Sequence, residues 1–421
     1  MHIVVLGGGS TGEHFVGALR RYDREARVTV VERRLVGGEC SYWACMPTKT
    51  MLRAPEVRAE AERTLGALAP GPLDAKAVYA WRDIVAERDD SSQVEWLDSM
   101  GARLVRGDAV IEERGFVTVG DEEIRYDKLV LATGSSPLIP DAVAGVDHWT
   151  NVDATETTEV PETLLVLGGG PVGCELAQFF ARMGSKVTLA QAAPRLLPRI
   201  DPEAAELVDE GLREDGVEIR FDAVVGADEA RRYARVLVAT GRKPNVDGLE
   251  PLGLTITQRG IEVDERMRAA PNVWAAGDVT GIAPFTHVGK YHARVVAADV
   301  VGRPARADHR AVPATIFTDP QVATVGTLAG KTARWELTST PRLSTYERPK
   351  RPGFVKVAVA PERRVVTGAV AVGPEAGEWL QQLTLAIRAE TPLDVLLDVI
   401  QPYPTFSEAV FFALRELNLD L

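Results

Sequence analysis

The most regular feature of the chain is a set of short apolar runs, each bounded by glycine, alanine or a charged residue. His2 to Leu6, Arg27 to Val31, Leu129 to Leu131, Thr163 to Leu167, Lys186 to Ala190 and Val236 to Val238 all have this form. Runs this short, bounded by turn residues, predict strands rather than helices. Residues 54–100 have a different texture. Charged and apolar positions alternate there at helical spacing, with breaks around Pro70-Gly71-Pro72, which predicts two or more helices with solvated charged faces. Asn272-Val273-Trp274-Ala275-Ala276-Gly277-Asp278 reads as a strand ending in Gly-Asp, a place that suits a carboxylate held against a polyol chain. From Pro313 the pattern changes again, to strands such as Phe354 to Val359 and a helix beginning near Gly377, which predicts a domain of another type.

Two of the strands run straight into the same glycine pattern. Gly7-Gly8-Gly9-Ser10-Thr11-Gly12 places glycines at G-x-G-x-x-G spacing, which allows a tight turn and close approach of a pyrophosphate to the amides opening the next helix. The following strand ends in Glu32, at the distance of about 20 residues where a carboxylate binds ribose hydroxyls. The design recurs at Gly168-Gly169-Gly170-Pro171-Val172-Gly173 after the strand Thr163 to Leu167. Each copy later contains a strand closing on Ala-Thr-Gly, at Ala132-Thr133-Gly134 and at Ala239-Thr240-Gly241. Whole domains are therefore repeated, and two fingerprints predict two dinucleotides. The first copy is the longer, and its extra length contains a pair of cysteines.

Composition narrows the picture by exclusion. A chain of 421 residues is too long for one core and suggests about three domains. Hydrophobic residues at 45% and charged residues at 26% are those of an ordinary globular protein. A net charge of −12 and a pI near 5.2 repel phosphate backbones, so no nucleic acid partner is expected. No apolar stretch approaches roughly 18–20 residues, so no membrane span is expected. Three cysteines are too few for a secreted disulfide scaffold, and the chain opens on a strand rather than a leader, so a cytoplasmic location is expected. No metal site is expected.

The cysteines lie in Gly37-Gly38-Glu39-Cys40-Ser41-Tyr42-Trp43-Ala44-Cys45-Met46-Pro47-Thr48-Lys49, at the edge of a predicted helix whose start Pro47 restricts. At that separation on a helical turn the two side chains come within bridging reach. A bridge closing so short a loop removes little entropy from the unfolded chain, so a reversible electron store explains it better than a staple does. Two unpaired buried cysteines are the alternative, and the pair alone leaves both readings open.

Taken together, the two fingerprints, the Gly-Gly-x-Cys-x4-Cys-x-Pro-x-Lys block, both Ala-Thr-Gly strands, Ala276-Gly277-Asp278, Phe317-Thr318-Asp319-Pro320 and Tyr403-Pro404-Thr405-Phe406-Ser407-Glu408 resemble the pyridine nucleotide-disulfide oxidoreductases of the glutathione reductase, dihydrolipoamide dehydrogenase and mercuric reductase group. The resemblance spans nearly the whole chain. It implies an α/β fold with two Rossmann-like domains, one for FAD (1–148, resumed at 245–310) and one for NADH or NADPH (149–244), plus a C-terminal α+β interface domain (311–421) that makes a homodimer with shared active sites. Carried over residue by residue, Gly7, Gly9 and Gly12 would hold the FAD pyrophosphate, Glu32 the adenosine ribose and Asp278 the ribityl chain. Gly38, Lys49, Ala109, Thr133, Gly134, Gly277, Thr286 and His287 would complete the FAD site. Gly168, Gly170, Gly173, Gln191 and Gly241 would bind the nicotinamide dinucleotide. The resemblance also implies Cys45 as the thiolate against the flavin, Cys40 as the interchange thiol, and Lys49 with Glu175 as an ion pair near flavin N5. Electrons would then pass from NAD(P)H through FAD and a Cys40–Cys45 disulfide to a small disulfide or related acceptor. Cys174, on an apolar helical face, reads as core.

Five departures bear on the activity. Gln191 stands where a ribose-binding Glu is usual, with Arg195 the nearest basic residue. Pro171 replaces a tyrosine that covers the flavin in many relatives. The meander before the second Ala-Thr-Gly is cut down to Phe221 to Glu229. Ser41-Tyr42-Trp43-Ala44 between the cysteines is bulky, with Trp43 expected to pack into the neighbouring domain rather than to stack on a ring-bearing substrate. Finally, Tyr403 replaces the histidine that works as acid and base beside the glutamate matched by Glu408, and a phenol with a pKa of about 10 shuttles protons poorly at pH 7. Mercuric reductases share that tyrosine, which makes a metal-ion reductase the runner-up, although this chain lacks their C-terminal cysteine pair. A quinone or oxygen reductase with a vestigial dithiol and a non-enzymatic flavin scaffold complete the alternatives.

Overall fold

The computed structural model describes residues 1–67, 71–348 and 350–418; Pro70, in the break expected between helices, and the last three residues lie outside this set. The chain divides into two compact units. The first comprises Met1–Thr48, Trp81–Leu138 and Gly241–Asp308, and the second Lys49–Ala80, Ile139–Thr240 and His309–Leu421.

The first unit is built on a six-stranded sheet in the order Arg268–Ala270, Val273–Ala275, Lys128–Leu131, β1 (His2–Leu6), β2 (Arg27–Glu32), Ala102–Arg106. Every neighbouring pair is parallel except the edge pair Arg268–Ala270 with Val273–Ala275. Both faces are covered, which is why β1 reads as an unbroken apolar run. Ile3 and Val5 pack with Phe15 and Leu19 of α1 (Ser10–Leu19) and with Val296 and Val300 of the helix Thr286–Val300. Val4 and Leu6, on the opposite face, pack with Val117 and Ile124 of a small antiparallel sheet and with Leu249 and Leu252. The cysteine block forms α2 (Gly38–Tyr42) and the start of α3 (Cys45–Arg63).

In the second unit, a parallel sheet in the order Glu218–Arg220, Lys186–Ala190, Thr163–Leu167, Arg235–Val238 repeats the first design with fewer strands. The cut-down segment after Glu218–Arg220 forms only turns and a short helix, Ala227–Ala230. The change of texture at Pro313 becomes a five-stranded antiparallel sheet, with the helices Ala376–Trp379, Gln381–Ala389 and Ser407–Arg415 packed on it. Leu164, Val166, Phe179 and Phe180 share one core with Ile316, Val322, Phe354 and Val370. The helical stretch 54–100 resolves into the rest of α3, Ala75–Val85 and Ser91–Ser99. Among the described residues no helix is long and apolar enough to cross a membrane.

Candidate active site

The first glycine turn is dictated by contact distances. Gly7 has φ 103°, and a Cβ there would lie 2.2 Å from the Ala132 carbonyl oxygen; a Cβ on Gly12 would lie 2.0 Å from that of Gly7. Only glycine fits either place. Glu32, at the end of β2, accepts the Gly8 and Arg34 N–H groups, each at 2.7 Å. The glycines of the cysteine block dock against this turn. Gly37 N–H donates to the Gly8 carbonyl at 2.9 Å, and a Cβ on Gly38 would come within 2.8 Å of the Gly9 Cα. Across the sheet edge, Gly277 (φ 79°) abuts the Thr11 hydroxyl and donates to His292 Nδ1 at 3.2 Å, while Asp278 accepts from the Ser135 hydroxyl at 2.7 Å. Thr133 donates to the Asn245 carbonyl at 2.7 Å, and Gly134 (φ 72°) and Gly241 (φ 139°) have open space where a side chain would be. Ala109 pairs with Val119 in the small antiparallel sheet. A glycine cradle at a helix N-terminus, an acid at the end of β2 and a second acid at Asp278 are the donor set FAD requires, and these residues fit it.

The cysteines do not share one helical turn, as the expectation of bridging reach had assumed. Cys40 sits inside α2 and Cys45 opens α3, with the chain breaking helical geometry at Trp43 (φ −137°). The break folds the sulfurs together. Both are half-buried thiols. The Cys40 thiol donates to Cys45, and this bond together with burial raises its pKa far above the ordinary range, against the opposing pull of the Thr286 hydroxyl and Lys290. Thr286 Oγ1 lies 3.3 Å from Cys45 Sγ. His287, the next residue, stacks flat on Phe285 with ring centroids 5.2 Å apart. Trp43 is buried within this same unit, at 5% exposure, with the Arg34 guanidinium 3.9 Å over its ring and Tyr42 beside it. It is a packed residue rather than an open platform.

In the second unit, Lys49 follows Cys45 by one turn of α3 and donates to Glu175 Oε2 at 2.6 Å. The Glu175 side chain is 5% exposed, and its other oxygen accepts the Phe317 N–H at 2.9 Å, so this pair is half-buried rather than solvated. The second glycine turn copies the first. Gly168 has φ 105°, and a Cβ on Gly173 would lie 1.9 Å from the Gly168 carbonyl oxygen, whereas a Cβ on Gly170 would meet nothing within 4 Å. Pro171 is the first residue of the helix Pro171–Arg182. Cys174 is fully buried and its thiol points at the Gly169 carbonyl at 3.5 Å, in keeping with core packing. Also in this unit, Tyr403 is 73% exposed and its hydroxyl has no hydrogen bond among the described residues, while Glu408 is buried and accepts the Thr405 N–H at 3.4 Å. The two are not paired with each other.

Two features of the first unit were not foreseen. Arg242, right after the second Ala-Thr-Gly, donates to Glu39 at 2.7 Å and to the Ser135 hydroxyl at 2.7 Å, so that Glu39, Arg242, Ser135 and Asp278 form a chain from the cysteine block to the acid of the Gly-Asp turn. The only signal was a lone acid between Gly38 and Cys40. Glu13, in the first turn of α1, has its carboxyl pushed up to about 7 by burial, with Asp90 adding to the rise and Lys290 opposing it. Its neighbours come from elements far along the chain, and no local pattern marks it.

A family model described as pyridine nucleotide-disulphide oxidoreductase matches residues 1–298, and the dimerisation domain of the same group matches residues 312–413. The chain is 32% identical to a mercuric reductase of Staphylococcus aureus, over 98% of this chain and 82% of that protein. It is 31% identical to a dihydrolipoyl dehydrogenase of Thermus scotoductus, over 99% and 97% respectively. Among solved structures, LpdA from Mycobacterium tuberculosis has a TM-score of 0.88 at 26% identity, covering 99% of both chains. RclA from Escherichia coli, described as an HOCl-induced flavoprotein disulfide reductase, has a TM-score of 0.84 at 24% identity, a likeness of fold.

Proposed function

Because the chain belongs to the pyridine nucleotide-disulphide oxidoreductases, FAD-dependent enzymes that use a pyridine nucleotide, we propose that it carries electrons from NADH or NADPH to a small disulfide or related acceptor through Cys40 and Cys45. The observation that carries this reading is the pair of hydrogen-bonded thiols docked by Gly37 and Gly38 onto the first glycine turn. FAD, when bound, supplies the two-electron carrier between coenzyme and dithiol. Gly7, Gly9 and Gly12 would hold its pyrophosphate, Glu32 its ribose and Asp278 its ribityl chain, and Lys49, paired with Glu175, would supply a cation to its ring. Tyr403 and Glu408 face the dithiol of a second copy in a cytoplasmic homodimer, and functional domains divide at 148, 244 and 310.

In the exchange step the Cys40 thiolate attacks one sulfur of the acceptor disulfide, breaking its bond and expelling a thiolate that takes up a proton. Cys45 then attacks Cys40, forms the Cys40–Cys45 bond and expels the second thiol, so that two electrons have left the dithiol. The raised pKa of Cys40 makes its deprotonation the hard part of this sequence. A positioned base contributes about 10²- to 10⁴-fold, and Tyr403 is a poor one. Tyr403→His is therefore expected to raise disulfide turnover.

Anaerobic reduction by NADH and by NADPH, with thiols counted before and after, tests the reading. Two new thiols per chain are expected, lost again on adding a disulfide; flavin reduction without new thiols would sink the dithiol route. The runner-up is a metal-ion reductase, favoured by Tyr403 and by the likeness to mercuric reductases. Turnover with disulfide, quinone and Hg(II), before and after alkylation, separates these acceptors.

A further inference from the structure

The second glycine turn shows how it treats the ribose of its coenzyme. Gln191 directly follows the strand Lys186–Ala190 and is 9% exposed. Its Oε1 accepts the Gly169 N–H at 3.1 Å, the bond that Glu32 makes with Gly8 in the first turn. Its Nε2 donates to the Arg195 carbonyl at 3.3 Å. These two bonds orient the amide and leave one Oε1 lone pair and one N–H uncommitted, so the group can meet either a hydroxyl or a phosphate oxygen. The side chain at Gln191 itself carries no carboxylate to repel a 2′-phosphate, and Asp222, whose N–H donates to the Ala193 carbonyl at 3.4 Å, is the acid nearest in the segment that pairs with it.

Arg195 belongs to the same loop, and that loop lies against the turn. Leu197 N–H donates to the Gly169 carbonyl at 2.8 Å, and a Cβ on Gly169 would come within 2.5 Å of Leu196. The Arg195 guanidinium is folded back onto the carbonyls of Leu196, Leu197 and Pro198, at 3.4, 3.0 and 2.7 Å. Its charge stays on the loop that packs against the turn, but most of its donors are spent, so it would attract a phosphate without gripping it in a bidentate fashion.

We propose that Gln191 makes this a coenzyme site of low selectivity, taking NADH and NADPH with less than about tenfold discrimination. The inference rests on the reading that Gly168–Gly173 binds a pyridine nucleotide. Titration calorimetry of the FAD-loaded protein with NAD⁺ and NADP⁺, and with the fragments 5′-AMP and 2′,5′-ADP, measures it without turnover. Wild-type dissociation constants for NAD⁺ and NADP⁺ should agree within about tenfold, and the two fragments likewise. Gln191→Glu should raise the NADP⁺ constant at least about tenfold while moving NAD⁺ less than about threefold. Arg195→Ala should weaken NADP⁺ alone, by a few-fold. Gln191→Ala keeps the two coenzymes near parity and provides a second test if the Glu variant folds poorly. Selectivity beyond tenfold in the wild type, or equal weakening of both coenzymes by Gln191→Glu, overturns the proposal while leaving the coenzyme reading intact. Failure of both coenzymes to bind overturns both.

Discussion

The turns at Gly7–Gly12 and Gly168–Gly173 bend alike: their leading glycines have φ of 103° and 105°, and a Cβ on the last glycine would lie 2.0 Å and 1.9 Å from the leading carbonyl oxygen. In both, the side chain ending the next strand accepts the N–H of the second glycine. They differ in two ways. The acceptor is a carboxylate in the first and an amide in the second, and among the described residues the segment carrying the Cys40–Cys45 pair docks on the first turn, through Gly37 and Gly38. The glycine turn is therefore a holder set by sterics. On the function proposed above, ligand choice would reside in one side chain at a strand end, and redox chemistry in a segment inserted between strands.

The largest break in this comparison comes from the insert. Cys40→Ser and Cys45→Ser should each reduce disulfide turnover to background. The long-wavelength absorbance of the two-electron-reduced protein should survive in Cys40→Ser and vanish in Cys45→Ser, and the reverse outcome would exchange the two roles. Next come the holders themselves. Gly12→Ala and Gly173→Ala both put a Cβ into the leading glycine's carbonyl oxygen, so the backbone of the turn must shift and its dinucleotide should be lost. Gly12→Ala should lose FAD, read from the visible spectrum, whereas Gly173→Ala should keep FAD and lose the pyridine nucleotide. If both variants lost FAD, the assignment of one dinucleotide to each turn would fail.

A smaller effect is expected at Lys49→Met, which leaves the buried Glu175 carboxylate with only the Phe317 N–H. The cost should be about 1–3 kcal/mol, measured by denaturant unfolding, since an unsatisfied charged acceptor remains. An unchanged midpoint would show that water replaces the lysine. The smallest effect concerns Glu13 in α1. Its folded pKa, about 7, lies above its unfolded value, so the folded state binds more protons and stability falls as pH rises through roughly 4.5 to 7. Glu13→Gln removes that slope. The variant's thermal midpoint should exceed that of the wild type at pH 8 and match it near pH 4, and a gain independent of pH would assign the effect to packing.

Most of the scaffold was legible in the residues themselves. Glycine spacing, the strand-end acid at Glu32 and the repeated Ala-Thr-Gly strands are local patterns with local causes, and β1, β2 and the strands around them formed where apolar runs predicted. The dithiol was legible as a pair but not as a geometry: the break at Trp43, where the ring is covered by Arg34 from outside the cysteine block, places Cys40 in one helix and Cys45 in the next. Glu39 was equally opaque, because its partner Arg242 lies two hundred positions away.

By itself, the sequence determined that two glycine turns of the dinucleotide-binding pattern exist, that one has an acid and the other an amide after its next strand, and that a cysteine pair is inserted in the first. Those features follow from residue type and spacing, since a Cβ or a missing charge acts wherever the chain goes. Only tertiary structure decided that the Cys40 thiol donates to Cys45 beside Thr286, that Arg195 spends its donors on its own loop, and that Tyr403 stands exposed and apart from Glu408. Proton affinity and hydrogen-bond partnership depend on burial and on groups brought from distant positions, and neither is written in the local order of residues.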